Sequence, residues 1–242
     1  ASGTTSVVVG NLNAQIGGFV TLSGDMGFRK SASGRLIAAG SNVSATLDVG
    51  SVVKAGVTGA TIGLIVTPDQ KIALQATGGT ASLNLGSGFA SATATSVGVS
   101  YNNTSADVNT TITGLDGVIS APVVVTNGVT SVTVTGLNAT VLDFVTIGGD
   151  FGLQKTTGGD LIVVGNNVSA RLVLAGNFVD VGVMGATLGL LVKANEKIAL
   201  QTTGGALSLN LGSGFATATA STVNVRFNNT GALVNDTLTV TV

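Results

Sequence analysis

Two stretches of this 242-residue chain repeat each other, Thr5 to Asp116 matching Thr130 to Val242 with a single one-residue gap. Phe19-Val20-Thr21 returns as Phe144-Val145-Thr146, and Gly24-Asp25-Met26-Gly27-Phe28 as Gly149-Asp150-Phe151-Gly152-Leu153. Asn42-Val43-Ser44-Ala45 returns as Asn167-Val168-Ser169-Ala170, and Ser82 to Ala90 recurs letter for letter from Ser208 to Ala216. The extra residue falls between Asp48 and Val57, where a loop is expected. Self-similarity on this scale predicts two tandem homologous modules, residues 1–116 and 130–242. Residues 117–129, with Pro122 and Asn127-Gly128, read as the linker, although Val123-Val124-Val125 could pair as a strand.

Inside each copy the apolar residues alternate, the period of a strand with one buried face. Val43, Ala45, Leu47 and Val49 form one series; Ala60, Ile62, Leu64 and Val66 form another. Ile72, Leu74 and Ala76 follow after a turn at Thr67-Pro68-Asp69-Gln70, and then Ala81, Leu83 and Leu85. Gly78-Gly79, Gly204-Gly205, Ser33-Gly34 and Asn102-Asn103 sit where hairpins are expected to reverse. After Gly86-Ser87-Gly88 a long strand is expected, with Phe89, Val97, Val99 and Tyr101 on one side. Its other side carries Ala90, Ala92, Ala94, Ser96, Gly98 and Ser100. Small side chains there suit close sheet packing, a neighbouring chain, or an ordered-water face of the ice-binding kind.

Composition agrees with strands. Val, Thr, Gly and Asn dominate, with 36 Gly, while charged residues are 9% against about 25% in ordinary domains. Long solvated helices lack the Glu, Lys, Arg and Gln to build their outer faces. The fold class expected is all-β: each module an antiparallel β-sandwich or flattened barrel of about eight strands. A β-solenoid is the alternative, but no period of about 20–30 residues runs inside a copy.

Ten basic and 11 acidic residues leave a net charge of −1, with no basic patch to neutralise phosphates, so a nucleic-acid partner is not expected. The most apolar stretch, residues 182–192, is too short for a spanning helix, which needs about 20 residues. A membrane barrel would carry aromatic girdles, and here there is one Tyr and no Trp. No leader is visible before Ala1-Ser2-Gly3-Thr4, so the chain reads as a processed product or a piece of something longer.

Chemistry is scarce. The absence of His and Cys removes Ser-His-Asp and Cys-His nucleophile systems and the commonest zinc ligands. No catalytic residue, metal ligand or cofactor is expected, and the chain is not expected to be an enzyme. A carboxylate-pair hydrolase is the surviving catalytic alternative. The acid aligned in both copies, Asp25 with Asp150, reads as a turn or bulge residue bonding its own backbone. Gly158-Gly159-Asp160 is a fragment of a calcium-binding nonapeptide, but the first copy has Ser33-Gly34-Arg35 there. Lys30 with Lys155 and Lys71 with Lys197 read as guards against edge-to-edge sticking. Sequons such as Asn42, Asn109, Asn138, Asn167 and Asn235 leave glycosylation open.

The order Phe-Val-Thr-Leu-Ser-Gly-Asp-Met-Gly-Phe-Arg-Lys from Phe19, then Asn42-Val43-Ser44-Ala45, Gly59 to Leu64, Ile72 to Gln75 and Val99 to Thr104 resembles a known repeat class. It is similar to the tandem modules of giant bacterial secreted or cell-surface adhesin-like proteins, with haemolysin-type or LEPR-XLL features. The resemblance implies an extracellular or cell-surface structural protein and a spacer or adhesive role, with no catalytic residues. The chain departs from it by lacking nonapeptide calcium repeats. The expected partner is the chain itself, in a fibre or layer, by sheet packing or by strand addition through Ala1–Gly10 or Leu238–Val242. A glycan- or surface-binding module using Asn102-Asn103-Thr104 and Asn228-Asn229-Thr230 is the alternative.

Overall fold

The computed structural model describes residues 4–16, 20–50, 53–86, 89–113, 119–174, 178–212, 214–235 and 237–240. These residues form strands and turns, and no helix. The strands are β1 (Thr5–Ile16), β2 (Val20–Lys30), β3 (Leu36–Val49), β4 (Val53–Val66), β5 (Ile72–Leu85), β6 (Ala90–Ala94), β7 (Ser96–Asn102) and β8 (Val108–Thr113). There follow β9 (Ser120–Val125), β10 (Thr130–Val141), β11 (Val145–Lys155), β12 (Leu161–Leu174), β13 (Val179–Val192), β14 (Ile198–Leu211), β15 (Ala216–Ala220) and β16 (Val225–Asn228). Neighbouring strands pair antiparallel. Stacked parallel coils would not do this, so the solenoid is set aside, and the described strands close no barrel.

The chain separates into two compact units, the first holding Ala1–Ser82 with Thr95–Val132 and the second Leu83–Ala94 with Thr133–Thr241. Unit 1 is a meander of β1, β2, β3, β4 and β5, with β7 on β5, and a separate hairpin of β8 and β9. Unit 2 runs β6, β10, β11, β12, β13 and β14, with β15 and β16 both on β14. The segment anticipated as a linker therefore contains β9, whose Val108↔Val125 to Thr113↔Ser120 register with β8 is continuous. The one-residue gap falls where expected: Val49 pairs Val53, whereas Leu174 pairs Val179.

Short turns join the long strands by one recurring device. In Thr67–Lys71 the Gln70 amide donates to the Thr67 carbonyl and the Thr67 amide to the Lys71 carbonyl, both at 2.9 Å. Gln70 takes φ 63, the left-handed residue that closes such a loop. The same bonds close 31–35, 156–160 and 193–197.

Gly78-Gly79 and Gly204-Gly205 do not reverse the chain. Each lies inside one unbroken strand, β5 or β14, with positive φ, and the β13–β14 register passes Gly204-Gly205 without a shift. Register shifts mark bulges at Asn11 in β1, Asn42 in β3 and Gly59 in β4. A bulge inserts one residue and switches the side that later residues face. Gly24 is obligatory here, because a Cβ would lie 2.8 Å from the Val43 Cα.

Part of the expected facing is overturned. Ala60 is buried, but beyond it Gly63 and Ile65 point inward while Ile62, Leu64 and Val66 are half-buried on the other side. On β5 the buried residues are Ala73 and Gln75 rather than Ile72, Leu74 and Ala76. Beyond its own bulge β3 buries Val43 and leaves Ala45 exposed. The covered face is thus the one with the smaller side chains, since a second layer can approach it. That layer is the β8–β9 hairpin. Ile112, Ile119, Ala121, Val123 and Val125 meet Ala39, Ile65 and Ala73 in the core. Gln75 is buried because its Oε1 accepts the Val124 amide at 2.8 Å. Unit 1 is accordingly a sandwich of two layers.

Candidate functional site

Asp25 and Asp150 serve the bulges. Each Oδ1 accepts a backbone amide from the neighbouring strand, Asn11 for Asp25 and Gly136 for Asp150, both at 2.7 Å. The donor is thus across the strand pair, not the aspartate's own backbone as anticipated. Asp160 of the Gly-Gly-Asp fragment takes Lys193 Nζ at 3.0 Å and the Ala194 amide at 2.9 Å. These bonds hold its carboxyl below the ordinary value, the Lys193 bond most strongly. Asp180 is lowered by Arg171, which grips it with Nε at 2.8 Å and Nη2 at 2.7 Å. Asp69 is lowered first by the Thr67 hydroxyl. Among the described residues no three acids converge in metal-binding geometry.

The lysines shared by the two copies stand beside turns. Lys30 and Lys155 end β2 and β11, which are paired on both sides, so they guard no edge. Lys71 donates to the Ser105 hydroxyl at 2.6 Å and sits 3.4 Å from Asp69.

The Asn-Asn-Thr loops are built identically. Asn102 Oδ1 accepts the Thr104 amide at 2.9 Å and its hydroxyl at 2.7 Å, and Asn228 does the same with Thr230 at 2.9 and 2.7 Å. Asn103 Oδ1 accepts the Ile72 amide, and Asn229 Oδ1 the Ile198 amide, both at 2.6 Å. The copies differ in what covers them. Asn102 Nδ2 donates to the carbonyls of Ala106 and Val125, each at 2.8 Å, and the residue is 1% exposed. Asn228 Nδ2 donates to Ala232 O at 2.9 Å, the counterpart of Ala106, and the residue is exposed.

The anticipated long strand breaks at Thr95 into β6 and β7, and its small-residue side is the more buried, with Ala94, Gly98 and Ser100 enclosed. In unit 2, β6 is also covered along its edge: β10 pairs with it through Asn138↔Thr93, Ala139↔Ala92, Thr140↔Ser91 and Val141↔Ala90. In unit 1, the amide of Asn102, at the end of β7, donates to Val129 O at 3.0 Å and its carbonyl accepts the Gly128 amide at 2.8 Å.

The counterparts β15 and β16 have no such cover among the described residues. They pair with β14 alone, four of five β15 residues and all of β16 are exposed, and Phe215 is 82% exposed. Over unit 2's sheet, Leu238 lies beside Gly189 and Val240 beside Gly152. There a groove of about 800 Å³ opens, lined by Gln201, Arg226, Phe227, Asn228 and Asn235 among others. Gln201, aligned with buried Gln75, is exposed there. No family model, curated protein or solved structure matches the chain.

Proposed function

We propose that this chain is a structural or adhesive repeat segment of an extracellular bacterial protein, without catalytic activity, that builds or decorates a surface fibre or layer by associating with itself. One observation carries the reading: the edge formed by β15 and β16 is open, while the aligned edge of β6 and β7 is closed by the chain's own backbone. Edge strands normally carry charge, Pro or a cover that blocks pairing. Neither β1 nor β15 contains a charged residue or a Pro. A net charge of −1 adds little repulsion. The extracellular bacterial setting rests on the resemblance of Phe19 to Lys30, Asn42 to Ala45 and Val99 to Thr104 to the tandem modules of secreted or cell-surface proteins.

Electron microscopy of purified protein over a range of concentrations tests this function. Fibres or sheets that grow with concentration are expected; dispersed particles of single-chain mass throughout would contradict it.

The unit 2 groove supports a second reading, a glycan- or surface-binding module. Gln201, Arg226, Asn228 and Asn235 offer hydrogen bonds beside the half-exposed Phe227 ring, a mixture suited to a sugar. Glycan-array binding that is lost in Arg226→Ala and Asn228→Ala would place this reading first.

A further inference from the structure

We propose that β1 of a second copy of this chain adds to the open edge of β15, in the register by which β10 adds to β6. The inference rests on the self-association reading above and specifies the surfaces that carry it.

The chain itself contains the precedent. Residues of β1 align with those of β10, so that Asn13-Ala14 stands where Asn138-Ala139 does, and β15 aligns with β6. The pairs Asn138↔Thr93, Ala139↔Ala92, Thr140↔Ser91 and Val141↔Ala90 therefore translate into Asn13 opposite Thr219, Ala14 opposite Ala218, Gln15 opposite Thr217 and Ile16 opposite Ala216. Side chains facing each other stay of similar size: Ala92 becomes Ala218 and Ser91 becomes Thr217. Both edges are available. β1 pairs with β2 alone and β15 with β14 alone among the described residues.

The receiving side is also formed in advance. The Asn228 loop keeps the bonds that the Asn102 loop makes within itself, although nothing among the described residues covers it. In unit 1 the Asn102 amide donates to Val129 O. Thr4 aligns with Val129, so the same approach brings the Thr4 carbonyl of the second copy to the Asn228 amide. A pre-shaped acceptor lowers the ordering cost that opposes association. The contact joins two different surfaces, so it leads to a ring or an open filament rather than a closed symmetric dimer.

The chain has no cysteine, so introduced thiols report cleanly. Ala14→Cys and Ala218→Cys, each alone in its own copy, are mixed in equal amounts and oxidised. Directly opposed antiparallel residues lie within disulfide reach, about 4.5–5.5 Å between Cα atoms. The mixed disulfide dimer, one Ala14→Cys chain joined to one Ala218→Cys chain, is expected to exceed both self-dimers. It should also exceed the mixed dimer of an Ala14→Cys with Ala216→Cys control by at least about tenfold. Circular dichroism checks that each variant keeps its strand signal. Mixed dimers no more abundant than the control overturn the proposal. If sedimentation then still shows assembly, self-association stands and proceeds through other surfaces; if it shows single chains throughout, both readings fall.

Discussion

The amide of Gly136 donates to the Asp150 carboxylate at 2.7 Å, and the amide of Asn11 meets Asp25 at the same distance. Asn11 and Gly136 both adopt positive φ, at 51 and 61 degrees. A bulge leaves one amide without a ladder partner, and in each copy an aspartate on the next strand supplies it. Asp150→Ala should lower stability by about 1–2 kcal/mol, and Asp150→Asn by less because its amide oxygen still accepts. Urea unfolding of the two variants checks this; equal losses would show that the accepted bond is unimportant.

Gly63 and Gly189 occupy aligned positions under different covers. A Cβ at Gly63 would lie 2.5 Å from Val123 Cγ2 and 3.0 Å from the Pro122 carbonyl, whereas at Gly189 the nearest atom is Leu238 Cδ1 at 3.6 Å. Gly63→Ala should therefore push β9 off its sheet, costing about 1–3 kcal/mol as overpacking does. Gly189→Ala should be close to neutral. Thermal melts of the pair check the asymmetry.

Asn102 and Asn228 make the same loop, but only Asn102 is enclosed and also bonds Val125 O. Asn102→Ala leaves buried amides and carbonyls unpaired, at a cost of about 1–3 kcal/mol. Asn228→Ala exposes the equivalent groups to water and should cost clearly less. Similar losses in urea titrations of the two would mean that the enclosure of Asn102 contributes nothing.

Acid should weaken the fold through its paired aspartates. Asp180 beside Arg171 and Asp160 beside Lys193 have folded-state values lowered from 3.8. Their contribution is complete above the unfolded value and is lost as pH falls through the lowered folded values. Unfolding midpoints should hold steady down to about pH 4.5 and then decline. Asp180→Asn should give a shallower acid decline than the parent; an unchanged profile would contradict the assignment.

Much of the fold was legible because strand period and turn chemistry are local. Thr67-Pro68-Asp69-Gln70 and Ser33-Gly34 turn as their residues require, and the one-residue gap lies between β3 and β4 in one copy and between β12 and β13 in the other. The facing of β4 and β5 was not legible, because a period of two does not say which side a second layer will cover, and Gly78-Gly79, which looks like a reversal in sequence, lies inside β5. Which side is covered depends on where the β8–β9 hairpin packs, which is a property of the tertiary fold. The open edge of β15 was missed for a related reason. Ala216 to Ala220 is nearly the same text as Ala90 to Ala94. What separates them is β10, which is distant in sequence from the strand it covers, β6.

Amide hydrogen exchange resolved along the chain, at low and at high protein concentration, tests the open edge most directly. In dilute solution Ala216–Ala220 should exchange faster than Ala90–Ala94, whose outer edge is already paired with β10. Raising the concentration should slow exchange in Ala216–Ala220 and Thr5–Ile16 together, with little change in Ala90–Ala94. Equal protection of both small-residue strands in dilute solution, or no response to concentration in β1 and β15, would contradict the account.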